Sequence, residues 1–462
     1  MGDEFQSSPK WSGLDVNAGI SVERLIDVQP VWAGQVLIAA AGTLALVAAG
    51  IGMQILSYLM PEIASEWGSG PQFQGIILSI VYAGTMVGYI LLGSLASRFG
   101  LKSTSVSSLL AMGVLLILSS FAQTVLALTS LRFLTGVALG GVVPPVVALI
   151  AEYYPTRLRS SIVSIIHVGM PMGFLIAGWL SWLIIPRYGW RMALVAAGCI
   201  TLLITGLVTF ALRESLDFLI SRKKNGLPRA LNTLNDIYPR LKLAGGQLLH
   251  ARSGAGRPDA GVLDLFREGR ALGTGLLWVS LIANSMVYFV VQSWLPSMLV
   301  RIGVSQQNAI LASALGTAGG IISAFVVGPL MDRYGPYRVI STHFILGAMA
   351  LIIVADILSP ALLFTTTALF ALGYCVSGLQ KSISALAMHF YPTELRSPGL
   401  GWVLSVGRIG AIMGPIVAGW LMAGGQAPST LFYFMVAPCL SGSAAIAIMS
   451  KRYATAHPRA FA

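Results

Sequence analysis

The sequence predicts an all-α membrane protein of twelve transmembrane helices in two pseudo-symmetric six-helix halves, and three observations predict it. Only 10% of the 462 residues are charged and 56% are hydrophobic, with a mean hydropathy of +0.79; a water-soluble domain carries about a quarter charged residues to clothe its surface. Apolar stretches recur along the chain, each near the roughly 20 residues that a helix needs to cross a bilayer. The second half of the chain also repeats short motifs of the first.

Taken in order, the spans are predicted near 35–60, 73–96, 104–122, 125–151, 161–184 and 190–212, then 272–296, 308–331, 338–358, 361–390, 398–423 and 428–450. They divide the chain into an N-terminal segment (1–34), an N-terminal half (35–212), a linker (213–271), a C-terminal half (272–450) and a tail (451–462). Within the first segment, Ser21–Val28 reads as a short interfacial helix. The first 31 residues are polar and show no apolar run beside a cleavage site, so no signal peptide is expected. The linker is polar and basic, with Gly/Pro breaks around Gly226–Pro228 and Ser253–Pro258.

A net charge of +12 raises the question of nucleic acid, and the placement of the basic residues answers it. Eleven lie in the linker between Arg213 and Arg270, and others mark short loops at Lys102, Arg157, Arg159, Arg338 and Arg396. The termini add Lys10, Arg24, Lys451, Arg452 and Arg459. If the spans alternate, only Arg187, Arg191 and Arg301 face the opposite side. That is the positive-inside distribution, which places both termini, the linker and the tail in the cytoplasm of a multi-pass inner (plasma) membrane protein. The lipid bilayer is the expected partner, and nucleic acid is not. Cys199, Cys375 and Cys439 fall inside apolar spans and read as small core residues, with no disulfide framework or metal motif.

The internal repeat has four matches in order. Pro61–Gly68 aligns with Pro296–Gly303, and Gly93-Ser-Leu-Ala-Ser-Arg-Phe-Gly100 with Gly328-Pro-Leu-Met-Asp-Arg-Tyr-Gly335, both 235 residues apart. Tyr154–Ser160 aligns with Tyr391–Ser397, and Ala177–Leu180 with Ala418–Leu421. Two duplicated six-span halves imply a substrate site between them near the midplane, with one half rocking against the other.

The Gly93–Lys102 and Gly328–Arg338 loops resemble the signature loop of the major facilitator superfamily, and Arg132-Phe-Leu-Thr-Gly-Val-Ala-Leu-Gly-Gly141 resembles its fourth-span motif. Ala151-Glu-Tyr-Tyr-Pro155, Tyr391-Pro-Thr-Glu-Leu-Arg396 and Gly407-Arg-Ile-Gly-Ala-Ile412 resemble the aromatic acid:proton symporter family, and the likeness runs from about Ile26 to the last span. The resemblance implies a cavity lined by spans one, four, seven and ten, and an inner gate involving Ser97, Arg98, Asp332, Arg333 and Arg396. Three positions depart from the family pattern. Ala49 and Gly52 stand where two aspartates are usual, Ser97 where the signature loop carries an aspartate, and Pro145 where an asparagine is common. The first departure bears on proton coupling, the second on how the gate is latched.

Three basic residues lie well within spans: Arg132, Lys381 and Arg408. A charge at a helix centre costs roughly 2.5–3.5 kcal/mol to insert, so such residues face a cavity and serve a purpose. No aspartate or glutamate sits mid-span to match them. The simplest compensation is a small organic anion brought by the cargo. Each cation also has a plainer reading: Arg132 bonding backbone carbonyls, Arg408 pairing with Glu152 at the inner gate, Lys381 reaching the surface along its stem. Polar residues at helical spacing mark the cavity-facing stripes: Gln54, Ser57 and Tyr58 in the first span, Asn284, Tyr288 and Gln292 in the seventh, and Tyr374, Ser377, Gln380 and Ser384 beside Lys381 in the tenth. Amides there suit carboxylate or phenol oxygens, and Tyr288 and Tyr374 suit ring stacking. Hydrogen bonds between helices are the plainer reading for the serines.

With Ala49 and Gly52 unable to carry protons, His167, read as the only deep histidine, and Glu152 are the candidates for proton coupling. The reading is therefore a secondary transporter that imports a small aromatic carboxylate by alternating access, with protons as co-substrate. A facilitator or exporter of the same fold is the alternative, and a non-transporting anion sensor a third reading. No nucleophile–base pair, metal cluster or nucleotide loop appears, so neither an enzyme nor a cofactor is expected.

Overall fold

A computed structural model describes residues 20–238, 249–250, 262–357, 362–392 and 395–453. Lys10, Arg240, Lys242, Arg252, Arg257, Arg459, the Ser253–Pro258 break and Thr393–Glu394 lie outside the described residues.

The chain is helical nearly throughout. A short helix α1 (Val22–Val28) precedes α2 (Ala33–Trp67), α3 (Pro71–Phe99) and α4 (Leu101–Ser120). The fourth span is split by a turn at Gly141 into α5 (Val125–Gly140) and α6 (Val143–Tyr153), and the fifth begins as α7 (Thr156–His167). Helix α8 (Gly169–Ala211) holds the rest of the fifth span and all of the sixth, joined at Gly189, whose φ of 75° and ψ of 174° break the helix. Two linker helices follow, α9 (Leu216–Ser221) and α10 (Lys223–Ile237). The second half comprises α11 (Ala271–Arg301), α12 (Gln306–Tyr334), α13 (Pro336–Ile357), α14 (Leu362–Phe390), α15 (Arg396–Ala423) and α16 (Pro428–Tyr453). The only strand pairing among the described residues joins Ile20–Ser21 to Leu249–His250 in parallel.

Ten helical stretches among the described residues are long and apolar enough to cross a membrane. One of them, 156–211, turns back at Gly189 and supplies two spans, and α14 is the twelfth. Most helices run a few residues past the predicted spans, because backbone hydrogen bonding continues where the side chains turn polar. The predicted interfacial helix is α1, whose Val22, Leu25 and Ile26 are buried.

The two halves are built alike. In the first, α2 packs on α8, α3 on α5 and α4 on α8; in the second, α11 packs on α15, α12 on α14 and α13 on α16. Glycines let these pairs touch at the backbone: a side chain at Gly50 or Gly173 would meet the opposing main chain of α8 or α2 at 2.2 Å. Without a hydrophobic drive between helices in lipid, such close dispersion contact is what holds them together.

The halves meet through α2 with α11, α3 with α15 and α8 with α12. These contacts concentrate at the end opposite the Gly100 and Gly335 loops. There a Cβ on Gly75 would lie 2.5 Å from the Pro415 carbonyl, and one on Gly419 2.7 Å from that of Pro71. Gln54 Nε2 donates to the Gln292 carbonyl across the halves at 2.7 Å, and the Tyr82 and Ser293 hydroxyls are 3.2 Å apart. The far end is closed, and the space between the halves opens toward the loops.

Candidate functional site

The site is built around two cations that this opening reaches. Arg408 stands about 18 Å along α15 from Arg396, at 1.5 Å per residue. Its Nη2 donates to the Tyr89 hydroxyl at 2.7 Å, and its guanidinium lies over the Tyr89 and Phe289 rings at 5.3 and 5.8 Å. Lys381 lies roughly 13 Å from the loop end of α14, yet it is exposed. It is close enough to His167, on the other half, for their charges to interact, so it faces the gap between the halves rather than lipid. Among the described residues neither cation pairs with a carboxylate; the ion pairs there join other residues. The pairing of Arg408 with Glu152 at an inner gate is not found.

Around these cations the structure gathers part of the predicted set. Asn284 and Gln380 join their amides at 2.8 Å, one helical turn from Tyr288 and beside Lys381 respectively. Gln292 Nε2 donates to the Tyr288 hydroxyl at 3.5 Å, and Thr317 Oγ1 donates to Gln292 Oε1 at 3.4 Å. Tyr288, Gln292, Thr317 and Ser377 line a small pocket between α11, α12 and α14 whose internal space is about 20 Å³, room for a water molecule. Thr317 is absent from the sequence-derived stripes because the eighth span was not expected to line the cavity.

Four predicted cavity residues sit elsewhere. Arg132 is only 1% exposed and donates to the Gly52 and Met53 carbonyls at 2.8 and 3.2 Å. Its charge is spent on α2, beside the position where the family resemblance implies an aspartate. Tyr374 turns toward α13 and stacks on His343, ring centres 5.9 Å apart. Helical spacing alone grouped it with Ser377 and Lys381, but α13 occupies its side. Gln54 and Tyr58 are buried in the far-end seal, Gln54 on the Gln292 carbonyl and Tyr58 against the Phe174 carbonyl at 3.4 Å.

The proton candidates are separated. His167 ends α7, with Nδ1 2.7 Å from the Val163 carbonyl. Glu152 accepts from Ser215 Oγ at 3.0 Å and from the Leu216 backbone N–H at 3.1 Å, so it caps α9 at the start of the linker. His167 is also not the only deep histidine: His343 is buried in α13, its Nδ1 2.8 Å from the Val339 carbonyl. Its place seven residues past Pro336 was the available signal.

The gate residues do not meet in this arrangement. Ser97 donates to its own helix at the Ser94 carbonyl (2.7 Å), the Arg98 carbonyl accepts from Arg222 Nη2 (2.8 Å), Arg333 lies over Tyr334, and Asp332 is exposed. Arg396 Nε donates to the Tyr391 carbonyl at 3.4 Å. The loop after α3 is held by a residue that the sequence did not single out. Glu214 accepts from the Lys102 and Ser103 backbone N–H groups at 2.9 and 3.3 Å, capping α4. Free N–H groups at a helix start favour such a carboxylate. Gly100, at φ 100°, leaves room for it, since a Cβ there would lie 2.5 Å from the Glu214 carboxylate.

The comparisons with known proteins agree with this architecture. The family model of the Major Facilitator Superfamily matches residues 42–326 and 277–460. The chain is 32% identical to the gallate transporter of Pseudomonas putida, over 95% of this chain and 96% of that protein. It is 33% identical to the 4-hydroxybenzoate transporter PcaK of the same organism, over 86% and 89%. A solved bacterial homologue of the human lysosomal transporter Spinster, in an inward-facing and unoccupied conformation, superposes with a TM-score of 0.68 at 17% identity, covering 92% of this chain and 98% of that one. Duplicated halves, the site between them and these matches give one answer: the chain belongs to the Major Facilitator Superfamily.

Proposed function

We propose that this protein imports a small aromatic carboxylate across the inner membrane by alternating access, with both termini and the 213–271 linker in the cytoplasm. The observation that carries this reading is the pair Lys381 and Arg408, two cations facing the gap between the halves with no carboxylate to meet them among the described residues. A carboxylate cargo supplies the missing charge, and the rings of Tyr89, Phe289 and Tyr288 supply an aromatic surface beside it. The gallate and 4-hydroxybenzoate transporters among the relatives support the aromatic class. The conformation described is then the inward-facing one, sealed outside and open to the cytoplasm.

An anion entering a cell works against about 2.3 kcal/mol per charge for each 100 mV. Proton co-transport removes that burden, and His167 is the carrier that this reading assigns. An anion held at Lys381 and a proton held at His167 offset one another's charge in the gap, so each favours the other in this reading; such coupling is reciprocal. Uptake of labelled 4-hydroxybenzoate into proteoliposomes under an imposed pH gradient tests both claims. We expect accumulation that a protonophore abolishes, and a His167→Gln protein that exchanges cargo but does not accumulate it. Accumulation that ignores the protonophore would leave a facilitator, and no uptake of any aromatic acid would remove the reading.

A further inference from the structure

Arg408 points into the gap from one half and is held from the other. Its backbone belongs to the C-terminal half, where α15 lies flush against α11: a Cβ on Gly410 would meet the Ile282 carbonyl at 2.1 Å, and one on Gly407 the Leu281 side chain at 2.8 Å. The Tyr89 hydroxyl that receives its Nη2 at 2.7 Å belongs to the N-terminal half. There α3 is seated as tightly on α5. A Cβ on Gly88 would lie 2.2 Å from the Val137 carbonyl, and one on Gly140 2.7 Å from the Tyr89 backbone nitrogen. Each partner therefore stands on a closely packed platform within its own half, and the bond between them spans the two.

A tyrosine does something there that an acid would not. A carboxylate would fix the guanidinium and cancel its charge, whereas a phenol is a neutral acceptor that fixes the group and leaves the charge standing. The bond to Tyr89 is the only hydrogen bond of that guanidinium among the described residues. The rest of its planar fork stays free for a carboxylate, which such a fork takes bidentately. A free arginine side chain samples many rotamers, and holding it in place beforehand removes part of the ordering cost of binding. A bond within one half would do this in every conformation. A bond between the halves does it only while they stand as they do here, because rocking moves one platform against the other.

We propose that Tyr89 is a positioning residue that completes the anion site in the inward-facing conformation and not in the outward-facing one, so that the affinity for cargo differs between the two faces of the membrane. The proposal rests on the functional reading above. Inside-out and right-side-out membrane vesicles carrying the full-length protein, given labelled 4-hydroxybenzoate, report the KM at each face. Tyr89→Phe keeps the ring and removes only the hydroxyl. It should raise KM at the cytoplasmic face roughly three- to tenfold, the worth of one hydrogen bond, and leave KM at the outer face unchanged. Because the hydroxyl acts through Arg408, Tyr89→Phe should add no further loss in the Arg408→Gln background. An unchanged KM at the cytoplasmic face, a similar rise at both faces, or an additive loss in the double variant overturns the role of Tyr89 and leaves the aromatic-acid reading intact. Vesicles in which the unchanged protein moves neither 4-hydroxybenzoate nor benzoate remove that reading, and this role with it.

Discussion

Three positive side chains inside the membrane look equivalent in the sequence, and their surroundings make them different. Arg132 is enclosed and spends its donors on the carbonyls of α2, while Lys381 is open to the gap and Arg408 touches only a phenol and two ring faces. Truncating them should therefore separate binding from folding. Lys381→Gln or Arg408→Gln should weaken an aromatic carboxylate by about 1–3 kcal/mol, as loss of a charged hydrogen bond does, with little change in thermal stability. Arg132→Gln should instead cost roughly 1.5–3 kcal/mol of stability and reduce binding only as far as it reduces the folded fraction. Thermal shift and ligand titration on the same preparations check both, and an Lys381→Gln/Arg408→Gln double variant with intact uptake would exclude the anion site. The existence of these charges is legible because a basic residue in an apolar run stands out by composition. Their partners are not. Whether Arg132 meets a carbonyl or a cargo depends on which residues of α2 approach it, and no spacing along one helix encodes that.

At the scale of helices, the spans follow from hydropathy, while the joints between them depend on a few particular residues. Gly189 turns the chain from the fifth span into the sixth with a backbone conformation, φ 75° and ψ 174°, that is essentially closed to residues with a Cβ. Trp190 and Arg191, directly after it, both bind Glu66 of α2, at 2.6 and 2.7 Å, so the turn is anchored as well as bent. Gly189→Ala should destabilise the protein by about 1–3 kcal/mol, the usual cost of forcing such a residue, read as a lowered Tm, whereas Gly206→Ala, in open space on the same helix, should be nearly silent. A comparable shift for both would show that the turn carries no strain. Tyr374 shows where helical reading stops. It shares a stripe with Ser377 and Lys381 by spacing, and only the presence of α13 on its flank turns it to His343. The capping roles of Glu152 and Glu214 were hidden for a related reason: each caps a helix that is distant in sequence, and a cap is recognisable only once both partners are known.

For the molecule as a whole, the duplication made the two-half architecture legible, because a repeated loop motif specifies where each half begins and ends. The direction of opening was not legible, because hydropathy and spacing mark which residues are buried and not at which end the halves part. In this arrangement Ser97 bonds to its own helix and Asp332 is exposed. Ser97→Asp supplies the carboxylate that the second loop copy retains, and it should shift the population toward closure at that end. A cysteine placed in the open vestibule should then be labelled more slowly, and an unchanged rate would show that this position does not latch the gate. The far-end seal differs in kind. It consists of glycine contacts, the Gln54–Gln292 bond and the Tyr82–Ser293 pair, and among the described residues no ion pair joins the halves. Dissolved ions screen exposed charges beyond about 10 Å at 0.1 M but hardly touch buried neutral contacts. The contacts between the halves therefore differ from the loop end in their sensitivity to electrolyte: the charged loops respond to the ionic strength of the solution they face, and the neutral contacts that join the halves at the far end hardly respond to it.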